Sequence, residues 1–204
     1  MTLLKTLAAA AVVAVSATSA FALGASDTVD STTSFVDNFF LPEGTSFLTN
    51  PYYRNMTMDW GWTHGALTDP ISSASLYVSG YDVDYVDGIN GEVDNIEIWD
   101  ATNSMWVLLG AMTGVNDQFS FAEFTISSDF YDEIANGLQV RVDIDATNSG
   151  NWLLTLSKSV LTINGADPGS PLPGVSSEVP LPAAGWLMIA GLGAMGALRR
   201  RKRA

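Results

Sequence analysis

The chain has 204 residues, no cysteine, one histidine and a formal charge of −13 at neutral pH. Without cysteine it forms no disulfide, and with one histidine it lacks the side chains of an ordinary structural zinc site or of a Cys–His catalytic pair. All 22 acidic residues lie between Asp27 and Glu178, a stretch that holds three basic residues. Because so acidic a stretch repels phosphate backbones, we expect no nucleic-acid partner, and cations or neutral polar ligands are favoured.

The N-terminus has the pattern of a secretory signal peptide over residues 1–22. Lys5 supplies a positive start, residues 7–15 form an apolar run, and Ala20 and Ala22 give the small-x-small pattern that a signal peptidase requires. We expect signal peptidase to cleave after Ala22, so that the mature chain begins at Leu23; a buried N-terminal helix or a membrane anchor is the alternative.

Alternating apolar and polar residues dominate the chain from about residue 56 to residue 163. In residues 138–145, for example, an aliphatic side chain occupies every second position. A period of two with one polar side is typical of antiparallel strands that pack one face on a core. Turn sequences rich in Gly, Asn and Asp separate the runs, and one helical turn is predicted between Asp129 and Asn136. We predict an all-β domain, a jelly-roll-type antiparallel β-sandwich, over residues 23–164.

The last predicted strand covers residues 152–163. Its apolar residues change parity near residues 157–159. Since an extra residue in one strand shifts the alternation, this change predicts a β-bulge.

An acidic loop follows the predicted strand that runs into residues 81–84. Calcium takes about six to eight oxygen ligands, and the loop combines carboxylates with glycines that let a backbone curl round an ion. The candidate calcium ligands are Asp82, Asp84, Asp87, Glu92 and Asp94, with Asn90 between them and Asp143 and Asp145 completing the site from another strand. The spacing does not match an EF-hand loop, and a solvated acidic loop that keeps the protein soluble is the alternative.

His64 is the single imidazole of the chain. A Ser-His-Asp triad would need it, with Asp59 or Asp69 to orient the ring. No G-x-S-x-G elbow occurs in the sequence, and no pair of carboxylates stands out as the acid and base of a glycosidase. We therefore expect His64 to be a hydrogen-bonded packing residue.

Tyr81 and Tyr85 flank the acidic loop and are the candidates for stacking on a sugar ring. Tyrosine suits this role because it combines a flat apolar face with a polar edge. The other aromatic residues in or near predicted loops and strand faces are Tyr52, Tyr53, Tyr77, Trp99 and Trp106.

The C-terminal part has two segments. Residues 165–178 are rich in Pro, Gly and Ser and are predicted to be a linker that holds the domain clear of the membrane. Residues 179–204 join a short motif, an apolar stretch of 16 residues and a basic cluster. Such a stretch reaches ~24 Å as a helix, and counting from the motif brings it near the ~30 Å of a hydrocarbon core. We expect a transmembrane helix with a cytoplasmic basic end; an ordinary membrane anchor is the alternative.

The tail begins with the motif residues Val179, Pro180, Leu181, Pro182 and Ala183. With this motif ahead of an apolar stretch and a basic cluster, the tail closely resembles the PEP-CTERM class of bacterial sorting signals, in its Val-Pro-Leu-Pro-Ala (VPLPA) variant. The resemblance implies that an exosortase-type membrane protease recognises the motif and cleaves near it. The protein would pass from a transient inner-membrane anchor to the cell surface or the exopolysaccharide matrix of a Gram-negative bacterium, as in a biofilm.

The middle of the chain contains, in order, Trp62-Thr-His64, a strand that leads into Tyr81-Asp-Val-Asp84, and a closing strand at Asn151-Trp152. In this order of landmarks it is similar to galactose-binding-like jelly rolls. The resemblance implies a domain that binds glycans or calcium or serves as a spacer. We therefore expect a non-enzymatic exported protein whose sandwich is structural or binds extracellular polysaccharide, with calcium as the candidate cofactor. A secreted polysaccharide-acting hydrolase is the alternative.

Overall fold

The structure is a computed structural model that describes residues 24–33, 39–83, 92–147 and 153–174. The predicted signal peptide, the sorting motif and the C-terminal apolar stretch lie outside the described residues, as do Asp84, Tyr85, Asp87 and Asn90. Within the described ranges, no helix has the length and apolar character needed to cross a bilayer.

The described residues form nine strands in two antiparallel sheets. The strands are β1 (Ala25–Asp30), β2 (Tyr53–Arg54), β3 (Trp60–Thr63), β4 (Ala74–Tyr81), β5 (Asn95–Asp100), β6 (Met105–Ala111), β7 (Phe119–Thr125), β8 (Gln139–Asp143) and β9 (Leu154–Ile163). The five-stranded sheet has the order β1-β9-β4-β7, with β2 also paired to β9, and the four-stranded sheet has the order β3-β8-β5-β6. A 3-10 turn (Ser128–Phe130) and helix α1 (Tyr131–Asn136) precede β8. This architecture confirms the predicted all-β antiparallel sandwich.

The hydrophobic core lies between the two sheets and follows the predicted alternation. In β8, Val140 and Val142 are fully buried, whereas Gln139 is exposed on the other face. Leu76 and Val78 of β4 supply the opposing layer. Period two therefore identified the core-facing residues, as expected for strands that pack one face.

The pairing of β4 with β9 contains the irregularity that the sequence predicts. The register passes from Ser79 opposite Lys158 to Gly80 opposite Leu156, so Ser157 is the extra residue. The shift lies within the predicted bulge region at residues 157–159.

Strand β9 differs from the others because all ten of its residues are buried. Residues 164–174, which we call the strap, contact its outer face at Ser157, and the segment around Leu41 and Phe47 contacts it at Leu156 and Thr155. The hydroxyls of Ser79 and Ser157 both donate to the carbonyl oxygen of Pro171 at 2.6 Å. The strap also lies against Glu43, since a side chain at Gly174 would approach the Glu43 Cβ to 2.5 Å. The described part of the predicted linker is thus packed on the five-stranded sheet.

Candidate functional site

Three acidic side chains are buried at one end of the four-stranded sheet. Glu92, Asp94 and Asp145 have relative exposures of 2%, 0% and 1%. Asp94 directly precedes β5 and Asp145 follows β8. Because these two strands are antiparallel neighbours, with Asn95 opposite Asp143, the two carboxylates come to the same end. The backbone N–H of Asp145 donates to Asp94 Oδ1 at 3.0 Å.

The electrostatics of this acidic cluster are unfavourable for a charged Asp94. Burial, together with the charges of Asp145 and Asp143, raises the pKa of Asp94 from 3.8 to about 6, although hydrogen bonds from the Asp145 backbone and the Glu92 side chain oppose the shift. The second oxygen of Asp94, Oδ2, is buried and makes no hydrogen bond. A buried carboxylate oxygen in this condition is stabilised by a proton or by a cation.

The candidate calcium ligands do not all meet. Asp82, at the end of β4, accepts a hydrogen bond from the backbone N–H of Asp117 at 2.6 Å, so its carboxylate holds a neighbouring loop. Asp94 and Glu92 lie in the buried cluster instead. In the ranges that the structure describes, no group of three or more acidic or histidine side chains has the arrangement of a metal site.

Asp143 and Asp145 do not continue a single strand face as predicted. The strand ends at Asp143, and Asp145 has a φ of +48° in the left-handed region. The alternation therefore stops between them, and Asp145 turns into the protein while Asp143 remains partly exposed. Because of this turn, the backbone N–H of Asp145 donates to Asp94, a hydrogen bond that the sequence does not predict.

Tyr81, the described candidate for sugar stacking, already has aromatic neighbours. Phe47 stacks on its ring with centroids 3.9 Å apart, and Phe119 meets it at 5.1 Å with an interplanar angle of 63°. One face of the Tyr81 ring is thus covered by Phe47, which leaves it less surface for a ligand than the sequence indicates.

His64 is buried between the sheets in a hydrogen-bonded network. Its Nδ1 lies 2.9 Å from Asp27 Oδ2, and its Nε2 lies 2.9 Å from the Ser159 hydroxyl. Burial lowers the pKa of His64, and the hydrogen bond from His64 lowers the pKa of Asp27. A neutral ring therefore donates from Nδ1 to the carboxylate and accepts the Ser159 proton at Nε2.

This network confirms the prediction of a hydrogen-bonded packing histidine, but its carboxylate partner was not among the predicted ones. Asp27 of β1 orients the ring, whereas Asp59 accepts from the backbone N–H of Ile144 at 3.0 Å. The three side chains have the order of a Ser-His-Asp triad, yet Ser159 has 0% exposure. A hydroxyl sealed in the core does not reach a polysaccharide.

Comparison with known families adds one finding, at the C-terminus. Residues 178–202 match the family model of the PEP-CTERM protein-sorting motif. Comparisons of the chain with curated proteins and with solved structures found no match. The match supports the resemblance to PEP-CTERM signals and indicates a bacterial protein that an exosortase-type membrane protease processes and that is sorted to the cell surface.

Proposed function

We propose that this chain is a non-enzymatic protein of the cell surface or the extracellular polysaccharide matrix of a Gram-negative bacterium. Signal peptidase would remove residues 1–22, the C-terminal helix would anchor the chain briefly in the inner membrane, and the exosortase would cleave near the VPLPA motif at Val179–Ala183. The observation that carries this proposal is the sorting motif at residues 178–202. The folded domain would be structural or would bind glycan.

The burial of His64 supports a non-enzymatic role. It is the single histidine of the chain, and both of its ring nitrogens are engaged by Asp27 and Ser159 inside the protein. A hydrolase that uses imidazole as its base needs that nitrogen at a surface where substrate binds. Release of reducing sugars from polysaccharide by the purified protein would contradict this part of the proposal.

We also propose that calcium binds at the acidic cluster and stabilises the domain. Support comes from Asp94, whose Oδ2 is buried without a hydrogen bond, and from the carboxylates of Glu92 and Asp145 beside it. Carboxylate oxygens are the ligands that calcium prefers. Asp84 and Asp87, which lie outside the described residues, belong to the same acidic stretch of the sequence and are candidates for further oxygen ligands.

The trafficking proposal is tested by the intact mass of the native exported protein. A mature species lacking both residues 1–22 and the basic residues 199–203 is expected. A species that keeps either segment would contradict the proposed processing, whatever the domain binds.

The calcium proposal is tested by thermal unfolding in calcium and in a chelator. Calcium should raise the melting temperature of the wild type, because an ion that binds the folded state alone stabilises it. Asp94→Asn should abolish the rise, whereas Asp69→Asn, an exposed carboxylate outside the cluster, should keep it. If calcium raises the melting temperature equally in both variants, or does not raise it in the wild type, the calcium proposal is wrong.

A further inference from the structure

A cavity of about 300 Å³ lies at the end of the four-stranded sheet away from the acidic cluster. Its walls come from the end of β5 and the turn after it, from α1, and from the start of β8. The lining residues are Trp99, Ala101, Thr102, Asp132, Glu133, Asn136, Gly137 and Gln139. Ligand pockets range upward from about 300 Å³, so this one suits a single small ring.

Trp99 supplies the aromatic surface of the cavity. Its ring meets Trp106 edge to face, with centroids 5.4 Å apart and an interplanar angle of 65°. The Trp106 ring is itself held by Arg141, whose guanidinium lies 4.6 Å from the ring centroid and is paired with Glu97. An edge-to-face contact with one neighbour occupies at most one face of the Trp99 ring, and the supporting side chains fix its position.

The polar groups of the cavity are mostly hydrogen-bond acceptors. Glu133 Oε2 is buried and has no hydrogen-bond partner. The Asn136 side-chain amide donates to the carbonyl oxygen of Asp132 at 2.7 Å, which orients its own oxygen as an acceptor. Gln139 is exposed at the cavity and offers both a donor and an acceptor. Such a set matches a ligand that carries several hydroxyl groups.

We propose that this cavity binds one uncharged sugar ring of an extracellular polysaccharide. The Trp99 face would pack on the C–H face of the ring, and Glu133, Asn136 and Gln139 would pair with its hydroxyls. This inference rests on the glycan-binding role proposed above and adds a location and a ligand class to it.

The charges of the lining residues select among ligand classes. Asp132 and Glu133 are acidic, and no lysine or arginine lines the cavity. Uronic and sulfated sugars would therefore be repelled. A quaternary ammonium ligand is recognised by a cage of several aromatic faces, whereas Trp99 is the single aromatic residue among the lining residues. An uncharged ring is the class that both the tryptophan and the acceptors accommodate.

The test uses the exported protein purified from culture and saturation-transfer NMR. The probes are the methyl glycosides of glucose, galactose, mannose and N-acetylglucosamine, with methyl glucuronide as the charged counterpart and tetramethylammonium as the cation. At least one neutral glycoside should bind, with at least tenfold higher affinity than the glucuronide. Trp99→Ala should lower that affinity at least tenfold and Gln139→Ala severalfold, while Tyr81→Ala, at the other end of the domain, should leave it unchanged.

Each result decides between this inference and the broader proposal. If a neutral sugar still binds the Trp99→Ala variant but no longer binds Tyr81→Ala, the cavity is not the binding site, and the inference fails. The broader proposal of a glycan-binding domain would then stand. Binding of tetramethylammonium or glucuronide in preference to every neutral glycoside would overturn the ligand class. If no probe binds but the protein still captures polysaccharide from its own culture, the inference fails while the proposed function stands. If Trp99→Ala does not fold, Glu133→Gln decides, and unchanged affinity in that variant and in Gln139→Ala would overturn the inference.

Discussion

Two polar clusters in this domain each have a buried centre, His64 at 1% exposure and Asp94 at 0%, but differ in how their hydrogen bonds are satisfied. At His64, the imidazole forms one hydrogen bond with the Asp27 carboxylate and one with the Ser159 hydroxyl, each at 2.9 Å. At Asp94, a carboxylate faces other carboxylates and one of its oxygens has no hydrogen bond. Burial alone therefore does not set the contribution of a polar group to stability, since complementarity of donors and acceptors decides its sign.

The largest change in the free energy of unfolding is expected when the imidazole of His64 is removed. His64→Ala should lower the free energy of unfolding by about 3 kcal/mol, because it opens a cavity, leaves the buried Ser159 hydroxyl without the imidazole and removes one of the hydrogen bonds of Asp27. Denaturant unfolding measures the change. Thr63→Ala, an exposed change one residue earlier, should alter stability by less than about 0.5 kcal/mol. Equal effects of the two variants would mean that the network contributes nothing.

The opposite sign is expected at the acidic cluster. In a chelator at pH 8, Asp94→Asn should raise the free energy of unfolding by about 2 kcal/mol, because it removes a charge that folding disfavours. The pKa of Asp94 rises from 3.8 to about 6 on folding, so the advantage should shrink below pH 6 and vanish near pH 4, where the folded wild type holds a proton. Denaturant unfolding at the two pH values measures this, and a variant less stable than the wild type at pH 8 would contradict it.

A smaller effect is expected on the pH dependence of stability, which the two clusters should change in opposite directions. Burial lowers the pKa of His64 from 6.5, so the unfolded state takes up a proton first as the pH falls, and the contribution of His64 to stability decreases below about pH 6.5. Asp94 acts in the other direction between about pH 4 and pH 6. In Asp94→Asn, stability should therefore fall with acid by up to about 1.4 kcal/mol per pH unit more than in the wild type. Parallel profiles for the two proteins would show that the clusters do not oppose each other.

The sequence predicted the sandwich well because alternation reports which strand face packs on the core. In residues 138–144, for example, the aliphatic residue at every second position is buried: Leu138, Val140, Val142 and Ile144. The strap could not be predicted in the same way. Its residues have no periodicity, and its attachment to Ser79 and Ser157 depends on a carbonyl oxygen, a group that every residue has.

The site predictions were limited by contacts between distant parts of the chain. Asp27 lies 37 positions before His64, and strand pairing of β1 with β9 brings it to the ring. Sequence proximity favoured Asp59 and Asp69 instead. Likewise, a position beside the acidic loop favours Tyr81 over Trp99 as the sugar-stacking residue, but Phe47, from a segment with no strand pattern, stacks on Tyr81. Local patterns do not contain these pairings.

The position of β9 also sets the order in which the domain can be assembled. This strand lies between β1 and β4 and also pairs with β2, yet it is the last of the nine described strands along the chain. The five-stranded sheet therefore cannot close until residues 154–163 are available to join its early strands. If the chain is exported from its N-terminus, the edges of β1, β2 and β4 that pair with β9 stay unpaired outside the membrane until β9 arrives. Folding would then be completed only when the segment before the sorting motif emerges.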